Sequence, residues 1–112
     1  MQIENLGPVL PVPDLAAAVV VWSALLGAQP KFVDGDRWAQ FEVGGHRLAL
    51  AGTDRDGDLA GVMIKVDDLD EARRLARAVG VAVGENREGP HELRFVATAP
   101  GGWPIVFYAP RP

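Results

Sequence analysis

The tetrapeptide VPDL at residues 12 to 15 returns as VDDL at residues 66 to 69, fifty-four positions later, and both copies precede a helix-patterned stretch closed by a glycine. A 112-residue chain that carries its opening motif twice has room for two small modules and little else, so this repeat restricts the architecture more than any single motif does. The ends of the halves also match: GGHRLALA at residues 44 to 51 aligns with GGWPIVFYA at residues 101 to 109, fifty-seven positions on. Each is a glycine pair opening a short apolar strand.

In the first copy, Asp14 is placed to accept backbone N–H bonds as a helix cap, and Gly27 stands where a left-handed stop is needed. Leu15, Val19, Trp22 and Leu26 recur at helical spacing and form one stripe that should pack on a sheet. Three consecutive valines, Val19 to Val21, lower helix propensity, so burial has to hold the segment helical. In the second copy Arg73, Arg74 and Arg77 read as a solvated face balanced by Asp70 and Glu71. The opening apolar stretch falls short of the roughly 20 residues that a bilayer crossing requires, and no membrane partner is expected.

Between helix and glycine turn each half holds material for two further strands. These are KFVDGDRWAQFEV, turning at DGD (residues 34 to 36), and VAVGENREGPHELRFVATA, turning within ENREGPH (residues 85 to 91). The order is strand, helix and three strands, performed twice. This is an α+β chain with module one at residues 1 to 52, a polar linker at 53 to 59 and module two at 60 to 112.

Composition removes several function classes. Eleven basic residues against fifteen acidic ones give a net charge of −4, and the basic residues are scattered, so nucleic acid is not an expected partner. With no cysteine there is no disulfide, thiolate metal site or cysteine nucleophile. The opening residues show no secretory leader, and the reading expects a cytoplasmic protein. The glycine pairs lie between strands, outside the loop-to-helix setting of a phosphate cradle, and the linker lacks the closing glutamate of a calcium loop.

Two stretches, LPVPDL followed by VVVWSALLG, and APGGWPIVFY near the end, resemble the vicinal oxygen chelate superfamily of glyoxalases, extradiol dioxygenases and bleomycin-resistance proteins. The resemblance covers nearly the whole chain. It implies two tandem βαβββ modules whose curled mixed sheets enclose a cavity, with helices on the outside. Metal-dependent members place His or Gln in a module's first strand and Glu in its last. The matching positions here are Gly7 and Gly61, and Ala49 and Val106, none of which offers a ligand atom. Ala99 replaces the aspartate common in the second turn. No metal and no cofactor are therefore expected.

Strand alternation sorts the remaining residues by face. With the four ligand positions marking the inner face, Val9, Pro11, Arg47, Ala51, Met63, Lys65, Pro104 and Tyr108 join it. Leu10, Val12, Leu48, Leu50, Ile64, Val66, Ile105 and Phe107 turn toward the helices as core. Trp38, Gln40 and Glu42 share the strand face opposite Ala39, Phe41 and Val43. The candidate ligand contacts are thus Trp38, Gln40, Arg47, Met63, Lys65 and Tyr108. Each has a plainer alternative: Trp38 as packing at a seam, Arg47 and Lys65 as strand ends whose stems cover apolar surface. Glu42 is a weak candidate for a catalytic base, its alternative being an exposed carboxylate. Trp22 is assigned to the core, Trp103 to the rim, and His46 and His91 to solvent.

The expected function is metal-independent binding of a small organic ligand by a homodimer, as an antibiotic-sequestering protein of the bleomycin-resistance type. The alternative is a metal-independent isomerase or lyase of the same superfamily, and whether the chain is an enzyme at all is left open.

Overall fold

A computed structural model describes every residue from Met1 to Pro112. It is mixed α+β with two helices, and by contact the chain separates into two compact units, Gly7–Ala60 and Met1–Leu6 with Gly61–Pro112.

The Gly7–Ala60 unit holds most of β1 (Ile3–Pro11), then α1 (Leu15–Leu26), β2 (Phe32–Asp34), β3 (Trp38–Val43) and β4 (His46–Ala51). Its strands lie in the order β2-β3-β4-β1, antiparallel except for the parallel pair of β1 and β4, where Val9 faces Ala49. The parallel pair requires a crossover, and α1 supplies it. Asp14 Oδ1 accepts the Ala17 N–H at 3.1 Å, and Gly27 closes the helix at φ +61°. Leu15, Ala39, Phe41 and Leu50 form the buried centre between α1 and the sheet, with Val19, Trp22 and Leu26 packed against it. The expected stripe therefore does face the sheet, and Trp22 is core.

The second unit repeats the arrangement with β5 (Gly61–Val66), α2 (Leu69–Ala78), β6 (Ala82–Val83), β7 (Arg87–Glu88), β8 (Glu92–Thr98) and β9 (Pro104–Pro110). β5 and β9 run parallel, β8 pairs β9 antiparallel, and β6 and β7 both pair β8. Asp68 caps α2 as Asp14 caps α1, its Oδ1 accepting the Glu71 N–H at 3.1 Å. The core here is Val66, Leu69, Ala72, Phe95, Ala97 and Ala109, with Ile64, Ile105 and Phe107 packed against it. Phe95 stacks on Phe107 with ring centroids 5.1 Å apart. The first residues are tied to this unit: the Gln2 N–H donates to Asp67 Oδ1 at 2.6 Å, and the Asp67 N–H donates to the Gln2 carbonyl at 3.2 Å.

Two local expectations need correction. The segment at residues 85 to 91 is not one turn; it carries the short strand β7, and the turn is confined to its end. Val83 faces Ala97, whereas Arg87 faces Arg94: four steps along one strand match three along the other, so one extra residue is inserted between β6 and β7. This is a β-bulge, and it reverses which side chains face which way. Arg73 is also more than part of a solvated face. Its guanidinium lies 4.6 Å from the centre of the Phe95 ring and donates to Asn86 Oδ1, so it seals the edge of the core. Arg74 keeps the expected exposed pairing with Glu71.

Candidate functional site

Each unit packs its helix on one face of its sheet, and the other face carries the residues of interest. Register partners on neighbouring strands share a face, so the pairings define rows across that surface. In the first unit one row is Gly7, Arg47 and Glu42, the next is Val9, Ala49, Gln40 and Phe32, and the next Pro11, Ala51, Trp38 and Asp34. In the second the rows are Gly61, Pro104 and Thr98, then Met63, Val106 and Val96, then Lys65, Tyr108, Arg94 and Arg87. The expected division into helix-facing and opposite faces holds throughout.

The two glycines of the first strands are required sterically. A Cβ on Gly7 would come 2.5 Å from the Arg47 carbonyl oxygen, and one on Gly61 would come 2.2 Å from that of Pro104. Both approaches are to backbone, which no rotamer change relieves. With Ala49 and Val106 buried at the matching last-strand positions, neither unit offers a donor there, and no three His, Asp or Glu side chains gather elsewhere. The residues present do not fit the metal centre that this architecture carries in its metal-dependent members.

Charge is placed differently in the two units. Glu42 lies between Lys31 and Arg47, with Oε2 to Lys31 Nζ at 2.9 Å and Oε1 to Arg47 Nε at 2.8 Å. The Lys31 hydrogen bond, aided by charge attraction to both cations, holds the Glu42 carboxyl below the usual glutamate range despite partial desolvation. A carboxylate so stabilised is a weakened base. Gln40, in the neighbouring row, is buried at 6% exposure beside the fully buried Ala49. Trp38 is half-buried next to Ala51.

In the second unit Met63 is buried beside Val106, while Lys65 and Tyr108 are half-buried neighbours. The next residue in that row, Arg94, is 5% exposed, and it and Gln40 are the two buried polar residues of the chain. Its Nη1 donates to Glu92 Oε1 at 3.0 Å. The Lys65 side chain enters no hydrogen bond or ion pair. Sequence reasoning missed Arg94 and Arg87. Arg94 was legible: flanked by Leu93 and Phe95, it has the opposite parity to the core, and counting back from the Gly101–Gly102 turn sets it against Tyr108. Arg87 depends on the bulge. Trp103 is 55% exposed beside the turn, and His46 and His91 are exposed.

The candidate residues therefore fall into two groups, each inside one unit. Trp38, Gln40 and Arg47 share the helix-free face of the first, and Met63, Lys65 and Tyr108 that of the second. The fold and these faces define a class: a repeated βαβββ scaffold that carries isolated polar side chains on an otherwise apolar sheet surface.

That scaffold is the vicinal oxygen chelate fold. Among matching solved structures, a Legionella pneumophila protein described as an NAD-dependent benzaldehyde dehydrogenase has TM-score 0.85 at 16% identity, covering 96% of this chain and 100% of that one. Methylmalonyl-CoA epimerase from Mycobacterium tuberculosis has TM-score 0.68 at 22% identity, covering 98% and 90%. A glyoxalase/bleomycin resistance protein/dioxygenase superfamily member from Vibrio splendidus 12B01 has TM-score 0.66 at 18% identity, covering 94% and 97%. No family model and no curated protein matches the sequence. Likeness at these identities is a likeness of fold.

Proposed function

We propose that this protein binds a small organic molecule without a metal ion, holding it on the helix-free faces of its sheets, in the manner of a sequestering protein of the bleomycin-resistance type. The observation that carries the reading is the pair of closed glycine positions, Gly7 and Gly61, on sheet faces whose buried side chains are apolar except for Gln40 and Arg94. Pockets for organic molecules combine apolar lining with sparse, fixed polar contacts, and Trp38, Gln40, Arg47, Met63, Lys65 and Tyr108 supply that combination. The fold is shared with a glyoxalase/bleomycin resistance/dioxygenase superfamily member, which supports the reading at the level of architecture.

The same proposal takes the protein to be a cytoplasmic homodimer. The outward face of α1 supports self-association: Ala16, Ala17, Val20, Val21, Ala24 and Leu25 are exposed without one charged residue among them. An exposed apolar helix face of this kind marks an interaction surface. No helix is long and apolar enough to cross a membrane. The alternative, a metal-independent isomerase or lyase using Glu42 as base, has the weaker support, because Lys31 and Arg47 lower the basicity that such chemistry needs.

A thermal-shift and tryptophan-quenching screen tests the proposal. Bleomycin-type glycopeptides, aromatic antibiotics and small dicarbonyl metabolites are each added with and without divalent cations. Saturable stabilisation that ignores cations, with the ligand recovered unchanged, is expected. Cation-dependent turnover overturns it.

A further inference from the structure

We propose that the ligand carries a carboxylate, and that the row formed by Lys65, Tyr108 and Arg94 on the second unit is the site that receives it. This rests on the binding reading above and specifies its chemistry. The two units are related by the sequence repeat, so their rows can be compared position by position. Lys65, Tyr108, Arg94 and Arg87 occupy the row that in the first unit is Pro11, Ala51, Trp38 and Asp34. At equivalent places one scaffold therefore presents an apolar and aromatic row that ends on Asp34, itself paired with Arg37, and a row that carries three cationic side chains around Tyr108.

The cationic row bears marks of a built arrangement. A guanidinium is seldom buried to 5% exposure unless its charge has a use or a partner, and Arg94 has Glu92 to hold it, at 3.0 Å, as its positioning residue. Glu92 is itself packed against Gly89: a Cβ there would fall on its carboxylate. The inserted residue before β7 adds to the row. Without it Asn86 would stand opposite Arg94; with it Arg87 does, and Asn86 accepts from Arg73 instead. Lys65, half-buried and unpaired, completes the row on its other side. Cα atoms of Lys65 and Arg94 are two strand spacings apart, roughly 10 Å, so both long side chains can meet a group placed over Tyr108.

A carboxylate suits these donors better than a phosphate does. The side chain of the trio without a protein partner is the Lys65 ammonium, while Tyr108 and Arg94 keep interactions of their own and border it, and one such point charge matches the single charge of a carboxylate. Phosphates are usually cradled by backbone N–H groups at a helix start or a nest, whereas this surface is the face of a paired sheet. The adjoining row of Met63, Val106 and Val96 is apolar and largely buried, so the carboxylate's bearer has an apolar body.

The test is isothermal titration of the full chain with a panel of aryl- and alkyl-carboxylic acids, 4-phenylbutyrate among them, against their neutral amides and against phenyl phosphate. At least one acid should bind ten times or more tighter than its amide and than phenyl phosphate. Lys65→Met should remove at least tenfold of that preference for acid over amide, with an unchanged far-UV circular dichroism spectrum showing that the variant is folded. Arg94→Lys, retaining the charge but losing the fork, should weaken acid binding more than amide binding, and Arg77→Met on the outer face of α2 should change neither. Equal binding of acids and amides, or a preference for phenyl phosphate, overturns the carboxylate assignment and leaves the binding reading standing. Binding of no panel member overturns both.

Discussion

Gly61 lies so close beneath the carbonyl oxygen of Pro104 that a Cβ in its place would approach to 2.2 Å, and Gly7 stands in the same relation to Arg47, at 2.5 Å. The repeat thus keeps a close contact between the first and last strands inside each unit, not merely a residue type. Gly7 and Gly61 do not have positive φ, so the constraint is space and not backbone conformation. Gly61→Ala and Gly7→Ala are expected to destabilise by about 1–3 kcal/mol each through overpacking, measured by urea unfolding. Histidine at either position should be at least as costly and should not confer cation binding. A stable Gly61→Ala protein would show that the strands separate more easily than this account allows.

Asp14 and Asp68 cap the two helices with the same geometry, each accepting an N–H three residues on at 3.1 Å. Replacing either by alanine should cost about 1 kcal/mol, and by asparagine much less, since an amide oxygen still accepts the bond. Because the two caps lie in separate units, the double variant should cost close to the sum of the singles, as chemical denaturation can read.

Phe41 and Phe95 are both fully buried, one in each unit's core. Truncation of either to alanine is expected to cost about 3–5 kcal/mol. Arg73→Ala should lose about 0.5–1 kcal/mol through its contact with the Phe95 ring, and that loss should vanish in a Phe95→Leu background.

The Lys31–Glu42–Arg47 cluster predicts a pH dependence with a definite sign. The Glu42 carboxyl titrates lower in the folded chain than the unfolded value of about 4.3, so its contribution is fully present above that pH. It is lost as pH falls through the lower, folded value. Thermal unfolding should find Glu42→Gln less stable than the parent at pH 7 and closer to it at pH 3. A difference that grows on acidification would contradict the cluster.

Much of this arrangement is legible in the sequence. The twin Asp-Leu motifs gave both capped helices, because capping is local chemistry, and the period-two strands gave the faces, because burial on one side fixes parity. Arg94 required one further step: carrying the register back from a turn already identified. The bulge before β7 was out of reach. It lies in GENRE, where no apolar alternation pins the pairing, so one extra residue leaves no trace in the pattern. The Arg73–Phe95 contact and the Glu42 cluster depend on side chains meeting across elements, which spacing within one element does not record.

If side chains and not a divalent ion hold the ligand, as proposed, its affinity is indifferent to metal. Isothermal titration of the tightest-binding panel acid after exhaustive chelation, and again in excess manganese, nickel or zinc, decides this. The same dissociation constant is expected in all cases, with loss of affinity in Lys65→Met alone. Affinity that disappears with chelation and returns with one cation per chain would contradict it.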